Sequence, residues 1–290
     1  MIRIATATYP LDWFADWAGY EAKLTTWVTE AAREGAQILV FPEYGAMELA
    51  SLVGVVAEDL EGATAAVSEL LPRANAFLSG LAVAEGVHIL APSGPQLDGG
   101  QLVNRAAFLA PNGSIRYQDK LIMTPWEVTP WCIAGQGPLT LFDTALGRIG
   151  VLICYDCEFP LLARHLTEAG ADLLLIPSAT ETVGGYSRVR IGAMARALEG
   201  QCYTAMASLT GQFPLSAVDV SHGAGGIFCP PDVGLPQDGV IASAELDTPG
   251  WTYGDVDLSV LGQVRKAGGV RLRADWPLSE QAEVRSVSLT

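Results

Sequence analysis

Five cysteines are spread along the sequence, at Cys132, Cys154, Cys157, Cys202 and Cys229, and one of them stands where a nucleophile could stand. In Gly150-Val-Leu-Ile-Cys154-Tyr-Asp-Cys157-Glu-Phe-Pro160, an apolar strand pattern runs up to Cys154 and a helix pattern begins almost at once. Such a corner aims a side chain out of the sheet and leaves backbone N–H groups beside it without internal acceptors. Those groups can hold a developing oxyanion, and the corner can depress a thiol pKa. The plainer reading is a buried structural cysteine, a small apolar residue in effect.

A nucleophilic thiol needs a base. Of the three histidines, His88 lies in an apolar strand pattern, His165 on the helix after Cys154, and His222 before a glycine-rich strand. None belongs to a Cys–His signature, so a carboxylate is the better candidate. Glu43 ends the run Ile38-Leu-Val-Phe-Pro-Glu43. A charge directly after a buried strand needs a purpose or a partner, although an acid serving a helix dipole is the simple alternative. Lys120 and Glu127 share Tyr117-Gln-Asp-Lys120-Leu-Ile-Met-Thr-Pro-Trp-Glu127, where each reads by default as a solvated loop charge. Cys154 and Cys157 also form a C-x-x-C pair, which suits a redox disulfide or half of a zinc site. A zinc site needs two more ligands, and no second C-x-x-C or H-x-x-x-H is present. A thioredoxin-sized chain or a cofactor motif, which the redox reading expects, is also missing.

The elements that must place these residues alternate between short apolar runs and longer helical patterns. Strands are expected over residues 2–8, 37–41, 87–91, 102–109, 114–118, 139–142, 148–154, 172–177, 201–208, 225–229, 239–245 and 251–257. Helices are expected over 17–34, 62–85 with a break at Pro72, 161–169 and 187–199. Hairpin signals beside strand–helix–strand units predict one α/β domain over 1–290 with mixed pairing, in two sheets with helices outside. No internal repeat, low-complexity tract or linker interrupts it.

Half of the 290 residues are hydrophobic and only 17% are charged, enough for a sizeable core. The net charge of −15 would repel a phosphate backbone or an anionic membrane, so neither nucleic acid nor membrane is expected as a partner. An odd cysteine count, no signal-peptide pattern and no apolar run of transmembrane length lead to the expectation of a reduced, cytoplasmic protein.

Taken together, three segments resemble motifs of the nitrilase, or carbon–nitrogen hydrolase, superfamily. Phe41-Pro-Glu43 looks like its glutamate motif, Asp119-Lys120-Leu-x-x-x-Pro its lysine motif, and Gly150-Val-x-Ile-Cys154-Tyr-Asp-x-x-Phe-Pro160 its cysteine motif. Asp172-Leu-Leu-Leu-Ile-Pro177 and Arg196-Ala-Leu-Glu199 also look like family segments. The resemblance covers nearly the whole chain. It implies a four-layer αββα sandwich that dimerises or forms a higher homo-oligomer, with neither metal nor organic cofactor. It places the catalytic glutamate, lysine and cysteine on Glu43, Lys120 and Cys154, and a helper glutamate on Glu127.

The implied chemistry is cleavage of a non-peptide carbon–nitrogen bond in a small molecule. Glu43 would take the proton of Cys154 as the thiol attacks a carbonyl carbon. Lys120 and the Tyr155 N–H would hold the oxyanion, and a Cys154 thioester would remain for hydrolysis. Tyr after the cysteine looks more like the amidase branches than the nitrilases, so an amide is expected ahead of a nitrile or N-carbamoyl substrate. Glu158 stands near a place where members acting on acidic substrates often carry an arginine. That predicts a substrate without a carboxylate there, unless Glu158 pairs with Arg188 or Arg190. Trp126, Trp131 and Tyr186 are candidate pocket walls. A thiol redox protein and a non-catalytic binding protein stay open as other classes.

Overall fold

The computed structural model describes residues 1–54, 59–135 and 137–289. Its strands are β1 (Ile2–Pro10), β2 (Ile38–Val40), β3 (His88–Leu90), β4 (Gly94–Asp98), β5 (Gln101–Leu109), β6 (Ile115–Asp119), β7 (Leu141–Thr144), β8 (Gly147–Val151), β9 (Leu173–Ser178), β10 (Tyr203–Gln212), β11 (Val220–Ser221), β12 (Gly226–Phe228), β13 (Val240–Ser243) and β14 (Gly250–Val256). The α-helices are α1 (Trp17–Arg33), α2 (Leu60–Glu85), α3 (Pro125–Val128), α4 (Pro160–Glu168), α5 (Val183–Gly200), α6 (Leu258–Ala267) and α7 (Leu272–Ser279). Two 3-10 helices, Gly45–Val53 and Cys154–Glu158, follow Glu43 and begin at Cys154.

The strands β3-β2-β1-β10-β9-β8 run parallel, with antiparallel strands at both flanks. β1 is the hinge of this arrangement. Its residues Ile4–Thr6 pair with β2 and Ile2–Thr8 with β14, while Thr8, Tyr9 and Pro10 pair with β10. The hydrogen-bonded run therefore folds over into two sheets, and β14 of the first lies against β12 and β13 of the second. α1 packs on α2, which covers β3–β5, and α4 packs on α5, which lies beside β10 and β12. The order is helix, sheet, sheet, helix, as expected. β2 and β9 are buried along their whole length, which is why they read as unbroken apolar runs rather than alternating ones.

Three local readings are corrected. α2 passes through Pro72 without breaking. A proline lacks the N–H that would bond the carbonyl four residues back. Here that carbonyl, on Ser68, accepts from Gln96 Nε2 at 3.1 Å instead. The strand before Cys154 stops at Val151, so the cysteine opens a 3-10 turn rather than ending a strand. Third, α6 and α7 lie beyond residue 257, where the pattern reading assigned nothing. Gly150 in β8 lets α4 approach, since a Cβ there would come within 2.7 Å of Leu166 and 3.0 Å of Leu174.

Candidate active site

Parallel strands deliver their C-terminal ends to one edge, where α/β folds bind ligands. β2 leads through Phe41-Pro42 to Glu43, β8 leads to Cys154, and β9 leads to Ala179. β6 ends at Asp119, directly before Lys120. Residues far apart in sequence thus meet at one place.

The centre is a buried run of charges. Lys120 Nζ donates to Glu43 Oε1 and to Glu127 Oε2, both at 2.7 Å. All three side chains are at most 5% exposed. Asn104 Nδ2 donates to Glu43 Oε1 at 2.9 Å, and the Ala179 N–H donates to Glu43 Oε2 at 3.0 Å. Tyr44 Oη donates to Glu127 Oε1 at 2.6 Å. Glu127 is also fixed in a capping box with Thr124, whose N–H and hydroxyl donate to Oε2 at 2.9 and 3.0 Å. Cys154 Sγ lies 3.7 Å from the Ala179 carbonyl, so Ala179 touches the thiol through its oxygen and Glu43 through its nitrogen.

Two backbone positions around this cluster are strained. Cys154 has φ 49° and Tyr44 has φ 53°, in the left-handed region that residues other than glycine enter at a cost of about 1–2 kcal/mol. The strain turns the chain sharply between Ile153 and the 3-10 helix. It leaves the Tyr155 N–H in a first helical turn, where such groups have no internal acceptor.

The electrostatics follow from burial. Removal from water pushes the Glu43 carboxyl up to about 7, with Lys120 opposing and Glu127 reinforcing the shift. Burial also pushes Glu127 up, but the Lys120 charge and the hydrogen bonds from Lys120, Tyr44 and Thr124 win, and it sits below its ordinary value. Lys120 is raised, because the attraction of Glu43 and Glu127 outweighs its own desolvation. The Cys154 thiol is pushed well up by burial and by the Glu43 charge, against the pull of Lys120. This corrects the expectation that the corner depresses the thiol pKa. A thiol shifted in this direction needs a base beside it to become a nucleophile.

The other candidates separate. Trp131 is buried with its ring 4.7 Å from that of Tyr44, whose hydroxyl bonds Glu127. Trp126 is 66% exposed on α3. Tyr186 is half-buried near the start of α5, with Arg190 hydrogen-bonded to its hydroxyl. Glu158 pairs with Arg188 at 3.5 Å, the outcome that removes its charge as an argument about the substrate. Cys157 is fully buried, with its sulfur 3.6 Å from the Val189 carbonyl on α5, whereas Cys154 faces Ala179. Both cysteines are free thiols. Among the described residues no three His, Cys, Asp or Glu side chains are grouped to hold a metal ion.

Sequence reasoning missed Tyr44, Asn104 and the task of Asp156. Asn104 had a signal, as a lone amide in the apolar stretch Leu102-Val-Asn-Arg-Ala-Ala-Phe-Leu109. Asp156 is buried and accepts from the N–H groups of Leu121 (3.2 Å) and Ile122 (2.9 Å), which clamps the chain just after Lys120. Burial raises this carboxyl to about 6 against those hydrogen bonds. Asp156→Ala would leave two N–H groups without their acceptor. Denaturant titration should show a loss of about 2–4 kcal/mol at neutral pH. Turnover should fall as well, because Lys120 loses its anchor.

The carbon–nitrogen hydrolase profile matches residues 3–266, and the chain belongs to that family. It is 31% identical over 275 residues to the probable hydrolase YhcX of Bacillus subtilis, covering 94% of this chain and 53% of that protein. The chain thus spans about half the length of that relative. It is 29% identical over 257 residues to omega-amidase NIT2-B of Xenopus laevis, covering 84% of this chain and 85% of that one. Among solved structures, Nit3 of Saccharomyces cerevisiae aligns with a TM-score of 0.71 at 20% identity, over 92% of this chain and 93% of that one. The amidase from Nesterenkonia sp. AN1 aligns at 0.70 and 23%, over 95% and 100%. These likenesses establish the fold as that of the nitrilase superfamily.

Proposed function

We propose that this chain is an amidase that hydrolyses a small linear amide to a carboxylate and ammonia. The observation that carries the reading is the buried Glu43–Lys120–Glu127 run, with Cys154 held at a strained turn and joined to Glu43 through Ala179. Glu43 takes the thiol proton as Cys154 attacks the carbonyl carbon. Lys120 and the Tyr155 N–H stabilise the oxyanion, and Glu43 returns the proton to the leaving ammonia. Water activated by Glu43 then hydrolyses the thioester on Cys154. Glu127 holds Lys120, and the carboxylates titrate as a coupled pair rather than singly.

Names of relatives support an amide over a nitrile, since they include omega-amidases and deaminated glutathione amidases. The reading includes a homodimer in a reducing cytoplasm. Leu161, Ile191 and Leu198, exposed on α4 and α5, offer an apolar face for a second copy. Among the described residues no helix is long and apolar enough to cross a membrane. The test is ammonia release over panels of amides, N-carbamoyl compounds and nitriles, with Cys154→Ala as the blank. Amides should turn over fastest. Faster ammonia release from a nitrile or a carbamoyl compound would overturn the amide assignment.

A further inference from the structure

His222 and Asp247 form a dyad beside the catalytic cluster that the mechanism above does not use. His222 Nδ1 and Asp247 Oδ2 are 2.7 Å apart. Asp247 Oδ1 accepts from Thr210 Oγ1 at 3.1 Å and from the Gly223 N–H at 2.9 Å. Burial opposes the charge on this carboxylate, but these hydrogen bonds hold its pKa below the ordinary value. An ionised carboxylate only accepts, so Nδ1 is the nitrogen that donates to Asp247, and in the tautomer this selects for the neutral ring Nε2 is the acceptor. Among the described residues Nε2 has no hydrogen-bond partner. The ring is only partly covered, with 36% of the side chain exposed.

The backbone ties the dyad to the thiol. The His222 N–H donates to the Thr180 carbonyl at 2.8 Å, and Thr180 Oγ1 donates to the His222 carbonyl at 2.7 Å. The preceding residue is Ala179, which contacts both Cys154 and Glu43. Gly223 allows this close seating, because a Cβ there would stand 2.3 Å from Ser208 Cβ and 2.6 Å from the Leu209 carbonyl. Asp247 itself is held in the left-handed region, at φ 58°. Backbone strain spent on orienting one imidazole at a catalytic edge is a mark of use.

We propose that His222 is a specificity-determining residue, whose Nε2 accepts a hydrogen bond from a hydroxyl or ammonium group on the acyl chain of the amide substrate, with Asp247 positioning the ring. The proposal rests on the amidase reading. The test compares three amides of equal chain length that end in methyl, hydroxyl or carboxylate. Wild type should prefer the hydroxyl amide to the methyl amide by about tenfold in kcat/KM, the worth of one well-formed hydrogen bond. His222→Phe should erase that preference mainly through KM, leaving the methyl amide within about threefold and the alkylation rate of Cys154 by iodoacetamide unchanged. His222→Gln, which keeps an acceptor, should restore part of it. Equal losses on all three amides, no loss at all, or a carboxylate preference that survives His222→Phe would overturn the proposal. Should wild type turn over none of them, the amidase reading fails instead. Binding of the three amides to Cys154→Ala, followed through the ¹⁵N imidazole signals, then decides the role of His222 alone: a hydroxyl-dependent shift at Nε2 supports it, and no shift refutes it.

Discussion

Replacing Cys154 by alanine is expected to reduce ammonia release to the background of the uncatalysed reaction while leaving the unfolding midpoint nearly unchanged. The chemical half follows from the covalent route. Without the sulfur there is no thioester, and Glu43 and Lys120 have nothing to deprotonate or to stabilise. Members of a catalytic unit are grossly non-additive, so the loss should be about a millionfold, the same order as removing the whole set. Glu43→Gln should fall in the same range. The structural half follows from what the thiol touches. Its hydrogen bonds are the long contact to the Ala179 carbonyl and one to the Glu43 carboxylate, which keeps Lys120, Asn104 and the Ala179 N–H as partners, and alanine removes one atom. Alanine must still enter the left-handed turn at residue 154, as cysteine does. Circular dichroism melts and ammonia assays on the same preparation give the comparison. Retention of more than about a thousandth of wild-type turnover on a verified substrate would sink the thioester mechanism.

The same argument sets the pH dependence. Glu43 must be ionised to accept the thiol proton, and its carboxyl is pushed up to about 7. Activity should therefore fall as pH drops through about 7, far above the range of an ordinary carboxylate. A kcat/KM profile that stays flat down to pH 5 would show that another group is the base.

Glu43, Lys120 and Cys154 were legible as candidates because each sits near the end of a readable element. Glu43 stands three residues past β2, Lys120 directly follows β6, and Cys154 follows an apolar run. A charge or thiol at such a boundary breaks a pattern that burial would otherwise make uniform, and local sequence suffices to see it. Their partners were not legible, because each partnership spans the fold. Asn104 reaches Glu43 across 61 residues, and Tyr44 reaches Glu127 across 83. Periodicity reports which face is buried, not what waits on the other side. Glu48 makes the same point in reverse. It is as buried as Glu43, yet Tyr9, the Asp12 N–H and Lys23 bond its carboxylate. Burial of an acid alone does not define a site; Glu43 differs in lying against a thiol. The end of β8 was misplaced for a related reason: the register with β9 ends at Val151 and Leu152 adds a last hydrogen bond to the Leu175 carbonyl, while burial keeps both Leu152 and Ile153 apolar.

Lys120→Met is the substitution expected to damage the fold as well as the chemistry. Methionine is close in length and carries no charge, so the variant keeps the packing but strands two buried carboxylates. Removing one partner of a buried ion pair costs about 3–5 kcal/mol, because the charge left behind stays desolvated. Here Glu43 and Glu127 would also repel each other, with only uncharged groups such as Asn104, Tyr44 and Thr124 left to bond them. The sign of the pH effect follows. Glu43 is already raised by burial, and Glu127 is held low chiefly by Lys120 against its own burial. Without the lysine both carboxyls rise in the folded state above their unfolded values near ~4.3. Their stability contribution is then fully present below that unfolded pKa and is lost as pH rises through the folded values. The deficit against wild type should therefore be small near pH 5 and approach its full size at pH 8. Urea titrations of both proteins at the two pH values measure it. A deficit that is equal at both, or larger at pH 5, would mean that Lys120 does not neutralise this pair, and its place as the cation of the oxyanion site would fall with it.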